Sequence, residues 1–496
     1  MKNIIIDVQP NVTFVCVVEN DELQDFWVER GTSSKVVGNV YKAKVMNVLK
    51  GMQACFVNIG IERNTFLYAG DTLKANGESY HDGEDPEILL KAGDVVLCQV
   101  LKDEFGNKGA RITMNISLPG RVLVMMPMLG YIGLSRKIEN EEKRQYLTDF
   151  LEKNKAEGSG YIVRTEAENA TEAELLEEIE LLNKKWKQIK KDFLEKPVFT
   201  QLYQEDDIVL RTVRDMFSSD IDAIITNDES IEARIKTNYP HILEGKPNII
   251  KYNAQENLMQ TKDLASQVAK LLKKKVVLSN GAYLIIDRTE ALTVIDVNTG
   301  KYIGDKNLEE TVYETNRIAG IEIARQLRLR NIGGIIVVDF IDMHEEEHQK
   351  MLLEVLQQEL NKDKIKTNIL GMTGLGLVEI TRKKTRSMLE AVMLQPCPYC
   401  NGDGYVFSDE LVLSRIHTAL NNLFEFSNST CVKIYVHPSI FSKVFALKYF
   451  KKECANEWKN KRIYIIGDSG LHIEKFEIKE ENSAIIDLPD TAKLLY

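Results

Sequence analysis

Three consecutive stretches decide the fold of this chain: ALTVIDVNTG (residues 291–300), NLEETVYETNRIAGIEIARQLRLRN (307–331) and GGIIVVDFIDM (333–343). The first and last are apolar runs of strand length, and the middle one has apolar residues at helical spacing. Asn307 with Glu310 predicts the start of the helix, and Asn331 with the glycines after it predicts the end. The order strand, helix, strand predicts parallel pairing, and the nearly all-apolar second strand predicts a buried strand.

Polar side chains stand near the ends of both predicted strands. Asp296 and Asn298 are two residues apart on a strand and therefore point to the same face. A parallel partner would bring Asp339 beside Asp296. Two carboxylates and a carboxamide at strand carboxyl ends lie where open α/β sheets bind ligands, and hard oxygen ligands select Mg²⁺ or Mn²⁺. The alternative is that these aspartates only cap helices or satisfy turns.

Five short strands with turn signals lie between residues 38 and 118: VYKAKVMNVL, QACFVNIG, NTFLYAG, DVVLCQVL and ARITMNISL. Such spacing is typical of a small closed barrel such as an OB-fold. On the surface of a barrel, Phe56 and Phe66 would stack bases and Lys108 would hold phosphate. Burial of each phenylalanine in the core is the alternative.

The segments around the barrel alternate strand and helix patterns. Residues 3–30 predict a β-hairpin with its turn at Asn20-Asp21. The sequences SLPGRVLVMMP and YIVRT predict two strands around a charged helical stretch, and a capping-box pattern at Thr171 predicts a long helix that ends near Glu195. A mixed αβ region then runs to about residue 272, and the tail from about residue 408 predicts another αβ module.

Arg164 and Thr165 end a predicted strand just before a helix N-terminus. A guanidinium group is well suited to bind a phosphate there. A salt bridge to a nearby glutamate is the alternative.

Cys397 and Cys400 have the C-x₂-C spacing of a zinc knuckle and precede Gly402 and Gly404. A structural zinc site needs four ligands. The missing two would come from a distant Cys or His, or from the same pair in a second chain. Two reduced thiols in a loop are the alternative. The 7 cysteines are too few and too scattered for a disulfide framework.

Other charged motifs are less specific. His344, Glu345 and His348 match the H-E-x-x-H zinc-protease pattern, but the acidic surroundings favour a chance match. Basic clusters at 270–275 (KLLKKK) and 382–386 (RKKTR) could contact phosphates, although charge runs usually only solvate a face.

The composition limits the class of protein. Hydrophobic residues make up 44% and charged residues 28% of the 496 residues, which argues against collagen-like or long disordered chains. The net charge of −10 does not favour bulk capture of nucleic acid, so any such contact must use local basic patches. No apolar run approaches the ~20 residues of a membrane span, and the start has no signal-peptide pattern, which predicts a cytoplasmic protein without a membrane partner.

Three motifs resemble, in the same order, the catalytic region of the bacterial ribonuclease E/G family. They are ALTVIDVNTGKYIG, RIAGIEIARQLRLRNIGGIIVVDFIDM and CPYCNGDG. The barrel resembles the S1 domain of that family, and SLPGRVLVMMP with GYIVRT resembles its 5′-end sensor. The likeness covers essentially the whole chain, and the length resembles that of the ribonuclease G branch. One departure is Gly374, where relatives carry a basic residue.

The resemblance implies a multidomain α/β fold in which an S1 (OB-fold) β-barrel is inserted in an RNase H-like domain. The implied domains are an RNase H-like domain (1–35 and 210–272), the S1 domain (36–118), the 5′-sensor region (119–209), a DNase I-like catalytic domain (273–392), a zinc-link (393–407) and a small C-terminal αβ domain (408–496).

The resemblance also implies a Mg²⁺-dependent endoribonuclease that cuts single-stranded, A/U-rich RNA. The enzyme would prefer 5′-monophosphorylated ends, leave 5′-phosphate and 3′-hydroxyl ends, and act in rRNA maturation and mRNA turnover. The implied partners are rRNA precursors, mRNA and further copies of the chain, as a homodimer or a dimer of dimers.

Each candidate residue takes an implied role. The magnesium ligands are matched by Asp296 and Asp339, and the residue that orients the scissile phosphate is matched by Asn298. The 5′-monophosphate pocket is matched by Gly120, Val124, Arg164 and Thr165, and the S1 contacts to RNA are matched by Phe56, Phe66 and Lys108. Half of a zinc site shared between two protomers, with one zinc ion per two chains, is matched by Cys397 and Cys400.

Two other functions stay open at the level of sequence. A non-catalytic S1-type RNA-binding protein would bind RNA without metal-dependent cleavage. A zinc peptidase using His344 and His348 would hold about one zinc per chain, whereas the shared zinc site predicts about one per two chains.

Overall fold

The structure, a computed structural model, describes all residues except 32–35, 75–79, 81–85, 105–108, 219, 240–241, 243–245, 247–248, 254–256, 261–262, 301–307, 482–487 and 490. The chain forms two compact units, Met1–Val392 and Met393–Tyr496. In the part of the chain that the structure describes, no helix combines the length and the apolar character needed to cross a membrane.

Within these residues the strands are, in chain order, β1 Lys2–Gln9, β2 Val12–Glu19, β3 Glu22–Arg30, β4 Val40–Leu49, β5 Ala54–Asn58, β6 Thr65–Tyr68, β7 Val95–Lys102, β8 Arg111–Thr113, β9 Leu118–Pro119, β10 Leu123–Met126, β11 Ile132–Leu134, β12 Gly160–Val163, β13 Thr200–Tyr203, β14 Ala223–Thr226, β15 Ile250–Tyr252, β16 Lys275–Val277, β17 Tyr283–Arg288, β18 Leu292–Asn298, β19 Gly334–Asp339, β20 Thr367–Met372, β21 Leu377–Arg382, β22 Cys431–Val436, β23 Arg462–Gly467, β24 Phe476–Glu480 and β25 Ala492–Leu494.

The α-helices of the same residues are α1 Glu141–Asn154, α2 Glu172–Glu195, α3 Ile208–Met216, α4 Ser230–Asn238, α5 Leu264–Leu271, α6 Leu308–Leu329, α7 Glu346–Asn361, α8 Leu389–Met393, α9 Asp409–Phe426, α10 Pro438–Ala446 and α11 Lys451–Ala455. Short 3₁₀ helices lie at Lys50–Met52, Ala69–Asp71 and Thr165–Asn169.

The N-terminal strands belong to a sheet with the order β15-β14-β1-β2-β3. The predicted turn is present, because Asn20 and Asp21 have φ angles of 51° and 66°, as tight hairpin turns require. The hairpin prediction was incomplete, however. A second turn between Gln9 and Val12 makes the segment a three-stranded meander, and β1 also pairs in parallel with β14.

The barrel prediction is confirmed. Its strands follow the order β4-β5-β6-β8-β7, and pairing of β4 with β7 closes the barrel. Alternate residues such as Cys55, Val57 and Leu67 fill the interior, as the two-residue period of a strand requires.

A second small sheet, β11-β12-β10-β9, packs with α1 and α2 around one apolar core. The predicted capping box is confirmed, since the Thr171 side chain accepts the N–H of Glu174 while the Glu174 carboxylate accepts the N–H of Thr171. Helix α2 then continues to Glu195, as predicted.

We call the six-stranded sheet with the order β16-β17-β18-β19-β21-β20 the β18–β19 sheet, and β18 and β19 are parallel as predicted. Helices α6 and α7 share an apolar core with one face of this sheet. The prediction of a buried β19 is wrong for the other face, where Ile335 is 53% exposed. We call this second face the open face. Helix α6 ends at Leu329, before the left-handed Asn331, as predicted, whereas Asn307 lies outside the described residues.

The second unit, Met393–Tyr496, contains the sheet β24-β22-β23-β25 and helices α9 and α10 around its own apolar core. This agrees with the αβ module predicted for the tail. Helix α9 begins after Ser408, whose side chain accepts the N–H of Leu411.

Candidate functional site

The paired carboxylates lie on the open face of the β18–β19 sheet. Asp296 and Asp339 are direct partners in the parallel register of β18 and β19, so the predicted juxtaposition is confirmed. Asn298 shares that face, and its Nδ2 donates to Asp296 Oδ2 at 2.8 Å. Both carboxylates are exposed to solvent.

Strand alternation and one buried amide hold this arrangement. Ile295 and Val297 point into the core beneath the sheet, which turns Asp296 outward. The end of β19 is held by Asn316 of α6, which is fully buried. Its Nδ2 donates to the carbonyl of Ile341 at 2.7 Å, and its Oδ1 accepts the N–H of Ile341 at 3.0 Å. Sequence reasoning missed Asn316, although a polar residue on the apolar stripe of a helix is a usable signal.

The carboxylate pair fits magnesium and does not fit a structural zinc ion. Among the described residues, no group of three or more His, Cys, Asp and Glu side chains could hold a metal ion. Zinc in a structural site takes four protein ligands, whereas Mg²⁺ is commonly held by one or two carboxylates together with waters and substrate phosphates. Two exposed carboxylates on adjacent strands meet the second description.

An aromatic cluster lies on the outer surface of the barrel. Phe56 and Phe66 are cross-strand partners with ring centroids 4.8 Å apart, and both are half-buried. The alternative that they belong to the core is therefore wrong, because the interior positions of these strands go to their neighbours Cys55 and Leu67. Lys108 lies outside the described residues.

The same surface contains two residues that sequence reasoning missed. The ring of Tyr68 lies 5.4 Å from that of Phe66, and the Arg111 guanidinium stacks 4.8 Å from the centroid of Tyr68. Arg111 is also bonded through Nε and Nη2 to Asp71, which fixes its plane. The alternation of Phe66 and Tyr68 on one strand face was the available signal.

Arg164, Thr165 and the segment around Gly120 meet at one end of the small sheet. The N–H of Arg164 donates to the carbonyl of Val122 at 2.8 Å, and the Thr165 hydroxyl is hydrogen-bonded to Ser135. Val124 lies on the adjacent strand β10. The four residues that the resemblance assigns to one pocket therefore lie on neighbouring segments of this sheet.

The Arg164 guanidinium already has a carboxylate partner. Its Nη1 donates to Asp215 Oδ1 at 2.6 Å, so the partner is an aspartate and not one of the nearby glutamates. Burial opposes ionisation of Asp215, but Arg214 and Arg164 outweigh it and lower the pKa of this carboxyl group. Asp215 is thus an anion, and it holds the Arg164 guanidinium in place.

A buried glutamate that was not predicted organises the loop beside Arg164. The Glu178 carboxylate accepts the N–H groups of Val122 and Leu123 at 2.8–3.3 Å. Burial raises the pKa of Glu178 despite these bonds. A Cβ on Gly120 would stand only 2.1 Å from Glu178 Oε1, so this position requires glycine.

The cysteine pair forms an open turn in the second unit. The N–H groups of Cys400 and Tyr399 donate to the Cys397 sulfur and, with the Cys400 side chain, lower the pKa of this thiol. The N–H of Gly404 donates to Cys400 Sγ at 3.3 Å. Both thiols are free, and Cys397 is exposed. The N–H donors favour the thiolate of Cys397, which is the form of cysteine that binds zinc, and a full site would need two ligands beyond this cysteine pair.

The structure also shows the surroundings of the H-E-x-x-H and RKKTR motifs. Helix α7 begins at Glu346, so His344 precedes the helix and the two histidines do not form the helical H-E-x-x-H arrangement. The RKKTR segment is not a purely solvated face. Arg382 is buried against Asp363, whereas the exposed Arg386 lies over the Trp27 ring.

Comparison with known proteins agrees with this geometry. The profile of the Ribonuclease E/G family matches residues 117–385, a range that includes both carboxylates and Arg164. The chain is 36% identical over 444 residues to Ribonuclease G of Escherichia coli (strain K12), covering 88% of this chain and 91% of that protein. Ribonuclease G of Haemophilus influenzae is 36% identical over 445 residues, covering 88% and 90%.

This chain also matches a ribonuclease E, but it covers a smaller share of that protein than of the two ribonuclease G proteins. Ribonuclease E of Synechocystis sp. (strain ATCC 27184 / PCC 6803 / Kazusa) is 38% identical over 395 residues, which are 78% of this chain and 57% of that protein. The family profile, the near-complete overlap with ribonuclease G and the in-register carboxylates lead to one conclusion. The chain belongs to the ribonuclease E/G family.

Proposed function

We propose that this endoribonuclease hydrolyses single-stranded, A/U-rich RNA at the open face of the β18–β19 sheet, in rRNA maturation and mRNA turnover. The observation that carries the proposal is the register of Asp296 with Asp339, both exposed, in a chain of the ribonuclease E/G family. We further propose that it acts in the cytoplasm, where rRNA precursors and mRNA are its substrates.

The carboxylates would hold one Mg²⁺ ion. Bound there, the ion would orient the scissile phosphate, offset charge in the transition state and lower the pKa of a water nucleophile. Asp296 and Asp339 supply the two anionic ligands that this role needs. In-line attack would leave a 5′-phosphate and a 3′-hydroxyl end.

Asn298 supports the same step from the protein side. A carboxamide has two N–H donors, and one of them is used to hold Asp296 at 2.8 Å. The second donor can bind a phosphate oxygen. Asn298 would therefore orient both the metal ligand and the scissile phosphate.

The proposed domain organisation is the one that the family resemblance implies. An RNase H-like domain would comprise 1–35 and 210–272, which matches the pairing of β1 with β14. The S1 domain (36–118), the 5′-sensor region (119–209) and the DNase I-like catalytic domain (273–392) would follow, then the zinc-link (393–407) and the small C-terminal domain (408–496).

We propose that the aromatic cluster of the barrel holds RNA. Removing one stacking ring is expected to weaken RNA binding about tenfold, since a stacked base contributes ~1–3 kcal/mol. We therefore expect Phe56→Ala and Tyr68→Ala each to raise the Kd for a single-stranded oligonucleotide. Fluorescence anisotropy in EDTA measures this without cleavage. Tyr252→Ala, which removes an exposed ring from another sheet, is the matched control.

An unchanged Kd in the Phe56 variant would contradict the assignment of this surface. A Kd raised to the same extent in the Tyr252 variant would point to a general loss of structure instead.

Gly120, Val124, Arg164 and Thr165 would form the pocket for a 5′-monophosphate. Its proposed cation, Arg164, is held at 2.6 Å by Asp215, so the pocket is preorganised. The wild-type protein is expected to cleave a 5′-monophosphorylated A/U-rich oligonucleotide faster than its 5′-hydroxyl form in Mg²⁺ and neither form in EDTA. Arg164→Gln should lower the preference about tenfold, as expected for loss of a charge-assisted hydrogen bond.

Arg121→Gln is the matched control, because Arg121 is also an arginine with a carboxylate partner, Glu174, and is not one of the proposed pocket residues. A preference that survives in the Arg164 variant would remove this residue from the pocket. RNA binding without cleavage in Mg²⁺ would favour the non-catalytic S1-type RNA-binding function.

Cys397 and Cys400 would supply half of a tetrahedral zinc site that two copies of the chain complete. The lowered pKa of Cys397 supports this proposal, since zinc binds the thiolate. The assembly would be a homodimer or a dimer of dimers with one zinc ion per two chains.

A further inference from the structure

An aromatic side chain stands directly beside the carboxylate pair on the open face. Tyr283 of β17 is the register partner of Asn298 in β18, and side chains directly opposite each other share a face of the sheet. The Tyr283 ring also lies next to Gly300, where an added Cβ would meet it at 3.3 Å. The ring therefore lines the edge of the site at which β18 ends.

A cation accompanies this ring. Lys275 of the neighbouring strand β16 is exposed, and its ammonium lies 3.7 Å from the centroid of Tyr283. Its neighbour Lys274 is instead paired with Asp287 at 2.6 Å, further from the carboxylates. Among the described residues of β16, Lys275 is thus a cation that lies beside the site, over the Tyr283 ring.

The register gives the distance between this pair and the carboxylates. Lys275 is the partner of Ile285, Ile285 of Asp296, and Asp296 of Asp339, so one row crosses four strands. With strands about 4.8 Å apart, the Lys275 backbone lies about 10 Å from that of Asp296. A group bound at the Tyr283 ring would therefore be adjacent to a phosphate held by the carboxylates, without overlapping it.

A ring and a cation in this position have a defined chemistry. Aromatic side chains stack on bases of single-stranded nucleic acid, and lysines neutralise the phosphates between them. An exposed cation–π contact is weak, so the Lys275 ammonium can move to a phosphate at little cost and free the ring for a base.

We propose that Tyr283 and Lys275 position the nucleotide next to the scissile phosphate: the Tyr283 ring stacks on its base, and the Lys275 ammonium binds its phosphate. Both are positioning residues, and the inference rests on the proposed endoribonuclease function. It assigns the open face a base contact of its own, separate from the aromatic cluster on the barrel.

The test uses full-length protein and a single-stranded RNA with one cleavage site. In a series of otherwise identical substrates, one abasic nucleotide is moved through the positions on either side of that site. With the wild-type protein, one flanking position is expected to lower kcat/KM about tenfold. Such a factor corresponds to about 1.4 kcal/mol of lost stacking.

Four variants separate the contributions of stacking, packing and charge. Tyr283→Leu keeps the bulk beside Gly300 but removes the aromatic face. It should cleave the intact RNA about tenfold more slowly, and the penalty at the sensitive abasic position should fall to less than about twofold. Tyr283→Phe should behave as the wild type. Lys275→Gln should raise KM and lower the salt dependence by about one phosphate contact, whereas Lys274→Gln should not.

The penalty at the abasic position decides the result. If Tyr283→Leu slows all substrates equally and keeps that penalty, Tyr283 has only a structural role and the proposal is overturned. If the wild-type protein tolerates abasic nucleotides at every position, the proposal is also overturned. Failure of the wild-type protein to cleave any of these RNAs in Mg²⁺ would instead overturn the proposed function itself.

Discussion

Asp296→Asn is expected to lower the rate of RNA cleavage about a thousandfold or more, equivalent to about 4 kcal/mol of transition-state stabilisation. The substituted amide can still accept the hydrogen bond from Asn298, so the sheet should fold normally, but one of the two anionic metal ligands is lost. The measurement is single-turnover cleavage of an A/U-rich oligonucleotide in Mg²⁺, with RNA binding measured in parallel.

Asp287→Asn is the matched control for this variant. Asp287 lies on the same strand face as Ile285, but it pairs with Lys274 and is the register partner of Val294. Cleavage by the control should stay within about twofold of the wild type, as is usual for a surface substitution. Cleavage by Asp296→Asn at the wild-type rate would mean that the metal site is wrongly assigned.

The two aspartates should also act as one unit. When two groups act as one unit, removing either of them abolishes the contribution of both to the rate. The double variant Asp296→Asn, Asp339→Asn should therefore cleave RNA no more slowly than the slower single variant. Each single variant should require more Mg²⁺ for half-maximal rate. Full additivity of the two effects would indicate that the carboxylates do not hold the same ion.

Cys397→Ser is expected to remove both the bound zinc and the assembly of two chains. The wild-type protein should contain about one zinc ion per two chains, because each copy supplies two of the four ligands that zinc needs. Elemental analysis gives the zinc content, and light scattering after size-exclusion chromatography gives the number of chains. The variant should contain no zinc and elute as a monomer.

Two controls separate this prediction from its alternatives. Cys454→Ser changes a cysteine whose pKa is raised by burial and which is therefore a poor metal ligand. His348→Ala removes the second histidine of the H-E-x-x-H pattern. Both should keep the zinc and the dimer. One zinc per chain that is lost only with His348 would favour the zinc peptidase instead.

Several features of this protein were accessible from local sequence patterns. The parallel strand–helix–strand unit, the closed barrel and the capped helix α2 follow from periodicity, turn residues and side-chain capping, which act over a few residues. The pairing of Asp296 with Asp339 was also predictable, because the period of a strand and parallel register together specify which residues share a face.

Other features depended on contacts between distant segments. The partner of Arg164 is Asp215, 51 residues away, and the end of β19 is held by Asn316 from a helix. The position of Asn316 on an apolar helix stripe marks it as a buried polar residue, but the sequence does not show which distant segment Arg164 or Asn316 contacts. The exposure of Ile335 was mispredicted for the same reason, since an apolar strand pattern cannot tell whether a second layer covers the sheet.

Whether a feature could be predicted from the sequence depends on how far apart in the chain the interacting residues are. Strand and helix periods, turn conformations and the spacing of Cys397 and Cys400 are properties of neighbouring residues, so sequence was enough to identify them and the family that carries them. The packing of segments far apart in the chain decides which face of the β18–β19 sheet stays open, which carboxylate holds which guanidinium, and that Tyr283 stands beside Asn298. Only the folded structure resolves those choices, because many pairings are compatible with the same local patterns.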